Sequence, residues 1–342
     1  MLKIARRLKK RGIYSRKFME EIVKVYRGIR DNETKRHFLN VFSSRIGERV
    51  FAAFWFGTDK ANNVAIISLK ILARDVSPEV RAEALEAIAN LKDKRFLPEV
   101  LNALKDKSLR VKIAAIEAIR GMSIRSAAAI NGLIRLLKDR NPDVRKAAIF
   151  ALEVLKVKRA KNYLQELLLR DRDELVRASA ISALTELGIA DEKILIKCLK
   201  DKNSEVRFLA AHGLSSFKKS KNVEILLERL KIGESKKVRD GIIVAIGSLG
   251  IKESLDALLK ISNRIKSKEV LGNALVEFAK NFSKEREGLI EKVMFRLSDL
   301  NVFKTGLILA GISIGIFPTN KINVLKKLSE KELIKMLREK LK

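Results

Sequence analysis

One eleven-residue string recurs along the chain and leaves little choice of fold: DVSPEVRAEAL from Asp75, DKSLRVKIAAI from Asp106, DRNPDVRKAAI from Asp139, DRDELVRASAI from Asp171 and DKNSEVRFLAA from Asp201. The shared pattern is D-x-x-x-x-V-[RK]-x-x-A, and its valines fall at Val80, Val111, Val144, Val176, Val206, Val238 and Val270. A spacing of about 30 to 33 residues is a solenoid period: each unit is one supersecondary element that buries its apolar face only against the next. Degenerate copies at Val50 and Val302 extend the series to about nine units.

Within a unit, FLPEVLNALKD and then LRVKIAAIEAIRGM each place apolar residues at i, i+3, i+4 and i+7. That spacing predicts two short amphipathic helices joined by a tight turn. The motif Asp stands where an N-cap belongs, ahead of the second helix, with Pro78 and Pro142 in first-turn positions where a missing N–H costs nothing. Small residues recur four places after the valine, at Ala84, Ala115, Ala148, Ala180 and Ala210, and let neighbouring helices approach closely. These strings resemble HEAT repeats, in particular the subtype also found in phycobilin lyases, over roughly Arg49 to Phe317. The resemblance implies an all-α chain, a right-handed α-solenoid of about nine HEAT-type helical hairpins. The organisation expected is a basic helical N-terminal segment over 1–36, the solenoid over 37–317 and a basic C-terminal capping helix over 318–342.

Charge points to the class of partner. Lys+Arg number 72 against 41 Asp+Glu, a net charge of +31, which is far more than surface solvation requires and should attract polyanions. RNA, DNA or a ribonucleoprotein is the partner this excess favours. Cys198 is the only cysteine, so no intrachain disulfide forms and a reduced cytoplasm is the simple expectation. The opening MLKIARRLKKRGIYSRK has no apolar stretch and small-residue cleavage site after it and is not read as a secretory signal. The most apolar stretch, Gly306 to Phe317, falls well short of the ~20 residues a membrane helix needs, so a buried helix and no transmembrane segment are expected. A single glutamine, Gln165, among abundant Lys, Glu and Ile resembles a thermophile composition.

Three sets of cations are candidates for nucleic-acid binding. The first is the amino-terminal arm, where Lys3, Arg6, Arg7, Lys9, Lys10, Arg11, Arg16 and Lys17 occur with no acid among them; Ile4 and Leu8 would make it amphipathic if it became helical on a nucleic acid or an anionic membrane. The second follows the motif Asp, at Lys107, Arg140, Arg172 and Lys202, where no helix C-terminus accounts for the cation. The third lies in the connections between units, at Lys92, Lys94, Arg95, Arg120, Arg125, Lys156, Lys158, Arg159, Lys161, Lys218, Lys219 and Lys221, densest from Lys156 to Lys161 and interrupted by Asp191 and Glu192. Arg81, Lys112, Arg145, Arg177, Arg207 and Arg239, directly after the valines, are set aside. In HEAT-like proteins that residue bonds the motif Asp of its own or an adjacent repeat, so a structural ladder is the reading. The aromatics Phe51, Phe54, Trp55 and Phe56 are read as packing of a divergent end repeat rather than as stacking platforms for bases.

No catalytic constellation is found, and the chain is expected not to be an enzyme. The HEAT-repeat deoxyhypusine hydroxylases use His-Glu dipeptides for iron, whereas here His37 precedes Phe38 and His212 precedes Gly213. Two distant histidines and one cysteine form no metal set of recognised spacing, and no phosphate-binding or nucleophile-elbow motif appears; neither cofactor nor metal is expected. The alternative to nucleic-acid binding is a scaffold that holds an acidic or helical protein on the curved inner face. There the side chains two, six and nine places after the valine are mixed, such as Phe208, His212 and Ser215, or Lys146, Phe150 and Glu153.

Overall fold

The computed structural model describes residues 15–58, 62–282 and 287–341. Among these the chain is all-α, without a strand. The first helices are α1 (Arg16–Gly28), α2 (Asn32–Asn40), α3 (Ile46–Phe56), α4 (Asn63–Leu72), α5 (Pro78–Leu91), α6 (Leu97–Ala103), α7 (Leu109–Gly121), α8 (Ala127–Leu136) and α9 (Pro142–Val154). They continue as α10 (Lys161–Arg170), α11 (Glu174–Glu186), α12 (Glu192–Cys198), α13 (Ser204–Leu214), α14 (Ser220–Leu230) and α15 (Lys236–Ser248). The last are α16 (Lys252–Ile261), α17 (Lys268–Phe282), α18 (Glu287–Arg296), α19 (Val302–Ser313), α20 (Ile322–Leu325) and α21 (Glu330–Leu341). In chain order α2 to α19 fall into pairs, one helical hairpin per sequence unit, so the architecture is the α-solenoid the period predicted. Contacts divide the chain into two compact units, Met1–Leu167 and Leu168–Lys342.

Each unit is held by its row of second helices. In the first, α3 packs on α5, α5 on α7 and α7 on α9; in the second, α11 packs on α13, α13 on α15, α15 on α17 and α17 on α19. The motif valines supply the centre of the row: Val80, Val111, Val144, Val176, Val206 and Val238 are fully buried, as are Ala84, Ala115, Ala148, Ala180 and Ala210 beside them. Each buried valine contributes about 1.5–3 kcal/mol of apolar burial, and the alanines keep the helices near enough to realise it.

Near the carboxyl end the second helices touch backbone to backbone. A Cβ added to Gly247 would lie 2.0 Å from the Ala274 carbonyl oxygen, one on Gly272 2.6 Å from the Phe303 nitrogen, and one on Gly306 2.7 Å from the Gly272 carbonyl oxygen. The stretch expected to be a buried helix is the core of α19, where every residue from Phe303 to Ser313 except Lys304 is buried. No helix among the described residues is long and apolar enough to cross a membrane. Beyond it α21 buries Leu333 and Leu337, and Arg338 donates to the Leu259 carbonyl at 2.6 Å, joining the Ser262 hydroxyl, which donates to the same oxygen at 2.7 Å at the end of α16.

The motif Asp is not the N-cap that its sequence position suggested. The caps are Ser77, Ser108, Asn141, Asp173 and Asn203, two places later. The motif carboxylate instead accepts the cap residue's own N–H, at 2.9 Å in Asp75–Ser77 and 2.8 Å in Asp106–Ser108, closing an Asx turn that leads the chain into the helix.

Candidate functional site

The carboxylate so fixed has a second partner, the cation that follows the valine of the preceding hairpin. Arg81 grips Asp106 through Nε and Nη2 at 2.8 and 2.9 Å, and Arg177 grips Asp201 at 2.9 and 2.8 Å. Lys112 reaches Asp139, and Arg207 reaches Glu234 at 3.0 and 2.9 Å, the longer side chain standing in for a missing Asp. The remaining guanidinium nitrogen turns back on its own hairpin: Arg81 Nη1 donates to the carbonyls of Asp75 and Val76 at 2.7 and 3.1 Å, and Arg207 Nη1 to those of Asp201 and Lys202 at 2.7 and 3.1 Å. One planar side chain thus fastens two hairpins by bidentate and carbonyl bonds together. These cations are the structural ladder the sequence indicated, and the bond runs to the following repeat.

The ladder also corrects the register of the first hairpin. Arg49 binds Asp75 at 2.9 and 3.0 Å and donates to Ser43 and Ser44 as Arg81 does to Asp75 and Val76. Arg49 is therefore the counterpart of Arg81, Glu48 stands in the valine position, and Val50 is not the repeat valine. At the other end Arg239 has no successor carboxylate, because Ile265 and Lys266 occupy the matching turn.

The ladder makes stability acid-sensitive. Burial alone would raise the carboxyl of Asp201, but the hydrogen bond from Arg177, the Asn203 N–H and the surrounding cations outweigh it and hold the group below its ordinary value. Asp139 is likewise lowered, burial being outweighed by Lys112 and the Asn141 N–H. A depressed folded-state value means that the unfolded chain binds protons first, so this stability is full above the ordinary Asp value near ~3.9 and is lost as pH falls through the folded value. Denaturant midpoints should therefore stay level from neutral pH to about 5 and fall below about 4, and Asp201→Asn should flatten that fall.

The cations predicted for nucleic acid occupy several places. Lys3, Arg6, Arg7, Lys9, Lys10 and Arg11 lie outside the described residues. Arg16 and Lys17 are exposed at the start of α1, Arg16 within 3.3 Å of Glu20. Lys107 and Arg140 are exposed at matching turns of the first unit, and Arg172 and Lys202 at matching turns of the second. Lys156, Lys158 and Arg159 are exposed and Lys161 half-buried; Arg159 donates to Asn131 at 2.9 Å. Lys218, Lys219 and Lys221 are exposed, but Lys218 donates to the Asn281 carbonyl at 2.8 Å and Lys219 pairs with Glu192. His212, one of the positions expected on the inner face, is exposed on α13. Cys198 is buried, and burial pushes its thiol up to about 11. Among the described residues no three His, Cys, Asp or Glu side chains gather as metal ligands.

The inner face that sequence reasoning offered for a protein partner included Phe150 but missed the side chains of the first hairpin that join it. With Arg49 aligned to Arg81, the positions two and five places after the ladder cation are Phe51 and Phe54 on α3, Glu83 and Glu86 on α5, Ala114 and Glu117 on α7, and Ala147 and Phe150 on α9. These helices stack in that order, so the positions share one face of the first unit. On it Phe51 is 49%, Phe54 55% and Phe150 47% exposed, with Leu109 of α7 at 38%. Phe56 is buried as expected of core packing, whereas Phe51 and Phe54 lean outward. His37, itself buried, stacks on Trp55 with ring centres 4.6 Å apart and lies 5.3 Å from Phe51. The Arg120 guanidinium stands 5.2 Å over the Phe150 ring and is bound to Glu117.

Comparison with known proteins places this geometry. The family of HEAT repeats matches residues 68–139, 115–185 and 167–245, together more than half of the chain. Protein YibA of Escherichia coli strain K12 is 30% identical over 220 residues, 63% of this chain; the match spans 66% of YibA, a little under two thirds of its length. The bilin biosynthesis protein MpeU of Synechococcus sp. strain WH8020 is 33% identical over 115 residues, 32% of this chain and 38% of that protein. The X-ray structure of YibA superposes with a TM-score of 0.54 at 22% identity, over 78% of this chain and 97% of that one, a likeness of fold. The expectation of a chain that is not an enzyme is corrected by MpeU, a relative named for biosynthesis. The absence of a catalytic motif does not carry that expectation, because the repeat sets the fold and reacting groups, where a relative has them, sit on it independently.

Proposed function

The chain belongs to the HEAT-repeat family, and from that membership we propose that it is a protein-binding repeat scaffold whose docking face is the row of second helices in the first unit. The observation that carries this reading is the exposure of Phe51, Phe54, Leu109 and Phe150 on one face of the stacked helices. Large apolar side chains grouped on a surface mark a site of association, since each forfeits burial until a partner covers it. The ladder supports the same use, because it fixes the hairpins and so holds the face ready without ordering cost at binding.

The nucleic-acid reading rests on net charge. Its candidate cations are partly spent within the chain, as at Lys218, Lys219 and Arg159, and the face with the exposed aromatics bears carboxylates that phosphate would avoid. Affinity purification from cell extract, with and without nuclease, separates the two. Protein partners should survive nuclease and fall at least tenfold with Phe51→Ser/Phe54→Ser. Retained material that disappears on nuclease treatment, and is indifferent to those substitutions, would overturn the scaffold in favour of nucleic acid.

A further inference from the structure

Charge on the docking face runs against the rest of the molecule. The stripe of α5 that faces outward is Glu79, Glu83 and Glu86, at i, i+4 and i+7, and the only cation of that helix, Arg81, is turned into the ladder. Beside the stripe, between α5 and α7, lies a groove of about 400 Å³ lined by Glu86, Leu109, Arg110, Ile113, Ala114 and Glu117. Its walls are apolar and its rim carries Glu86 and Glu117 beside Arg110, in a chain with a net charge of +31. Glu83 is half-buried at this edge. Burial first, and then the like charge of Glu86, raise its carboxyl above the ordinary value against the pull of Arg110. Arg120 is bound to Glu117 and lies over Phe150, so these two charges offset one another and the acidic excess beside the groove is that of Glu79, Glu83 and Glu86.

Resting on the scaffold reading, we propose that the occupant of this groove is a basic amphipathic helix of a protein partner. One apolar side chain would enter between Leu109 and Ile113, Lys or Arg one turn away would meet Glu83 and Glu86, and Phe51, Phe54 and Phe150 would flank the helix at its two ends. Complementary sign chooses this partner. An acidic helix would be drawn to most of this chain's surface and repelled here, whereas a basic one finds here a place where attraction and an apolar anchor coincide.

The test uses the full chain and fluorescence anisotropy of a labelled synthetic peptide of leucine and lysine with leucines at i, i+3, i+4 and i+7. A leucine-glutamate peptide of the same pattern is the comparison. The leucine-lysine peptide should bind, and E83Q/E86Q or L109D should weaken it at least tenfold, while the leucine-glutamate peptide binds the E83Q/E86Q chain no more weakly than the parent. Circular dichroism of the variants confirms that the helices persist. Absence of leucine-lysine binding, or binding that ignores both variants, overturns the proposal. If cellular partners are still lost on Phe51→Ser/Phe54→Ser in that case, the scaffold stands and only the basic helix falls; if they too are indifferent, both fall.

Discussion

Asp75→Ala should destabilise the first unit by about 3–5 kcal/mol, the cost of leaving one member of a buried ion pair alone. The Asp75 side chain is fully buried and that of Arg49 is 5% exposed, so the stranded guanidinium has no water to turn to. The substitution also removes the acceptor of the Ser77 N–H and with it the turn that starts α5. Trp55, the only tryptophan, lies on α3 six places from Arg49, and its fluorescence in a urea titration reads the loss locally while circular dichroism reads the whole chain. Replacing both partners, Arg49→Met with Asp75→Leu, should recover the part of the loss owed to the stranded charge and not the part owed to the Ser77 N–H, since an apolar pair carries no desolvation penalty but accepts no hydrogen bond. Arg16→Ala, by contrast, should leave the midpoint unchanged, because Arg16 and Glu20 form their bridge in solvent. A loss at Asp75 no larger than at Arg16 would mean that the ladder does not hold the hairpins.

Gly247→Ala is the second large effect, and two opposing terms decide its sign. Alanine favours a helix over glycine by about 1 kcal/mol. Against this, the new Cβ would lie 2.0 Å from the Ala274 carbonyl oxygen and 2.7 Å from its carbonyl carbon. Backbone atoms of a packed helix cannot swing aside as a side chain can, and overpacking costs of about 1–3 kcal/mol are a lower bound for such a contact. A net loss of about 2 kcal/mol or more is expected, read as a lowered denaturant midpoint. Gly121→Ala on α7, where nothing lies within 4 Å, should instead be neutral or gain up to about 1 kcal/mol.

The hairpin period, the buried valines and the cation ladder were legible in sequence because each repeats, and repetition makes a weak local signal readable. Caps were misplaced for a definite reason: Asp and the residue two places on, Ser77 or Asn141 for example, are both capping types, and composition does not say which of the two turns inward. The docking face was hidden by the first hairpin. Counting from Val50 instead of Glu48 slips the register by two, so Phe51 and Phe54 fall out of line with Glu83 and Glu86, and the face that joins aromatics to carboxylates disappears. Arg49 was the signal that could have found it, standing about one repeat before Arg81. Net charge, the loudest number in the composition, pointed away from this face because a sum over the chain is silent about where opposite signs gather.

Two kinds of fastening therefore succeed one another along the second unit. Up to Glu234, neighbouring hairpins are joined at a polar clasp whose attraction lasts only while its carboxylate is ionised. Past Arg239, where the clasp has no carboxylate to close on, Gly247, Gly272 and Gly306 bring backbone against backbone with no slack to absorb a tilt. Acid should therefore loosen the clasped stretch before the glycine-seated one, so the tolerance of this chain to protons is graded by the chemistry of its joints.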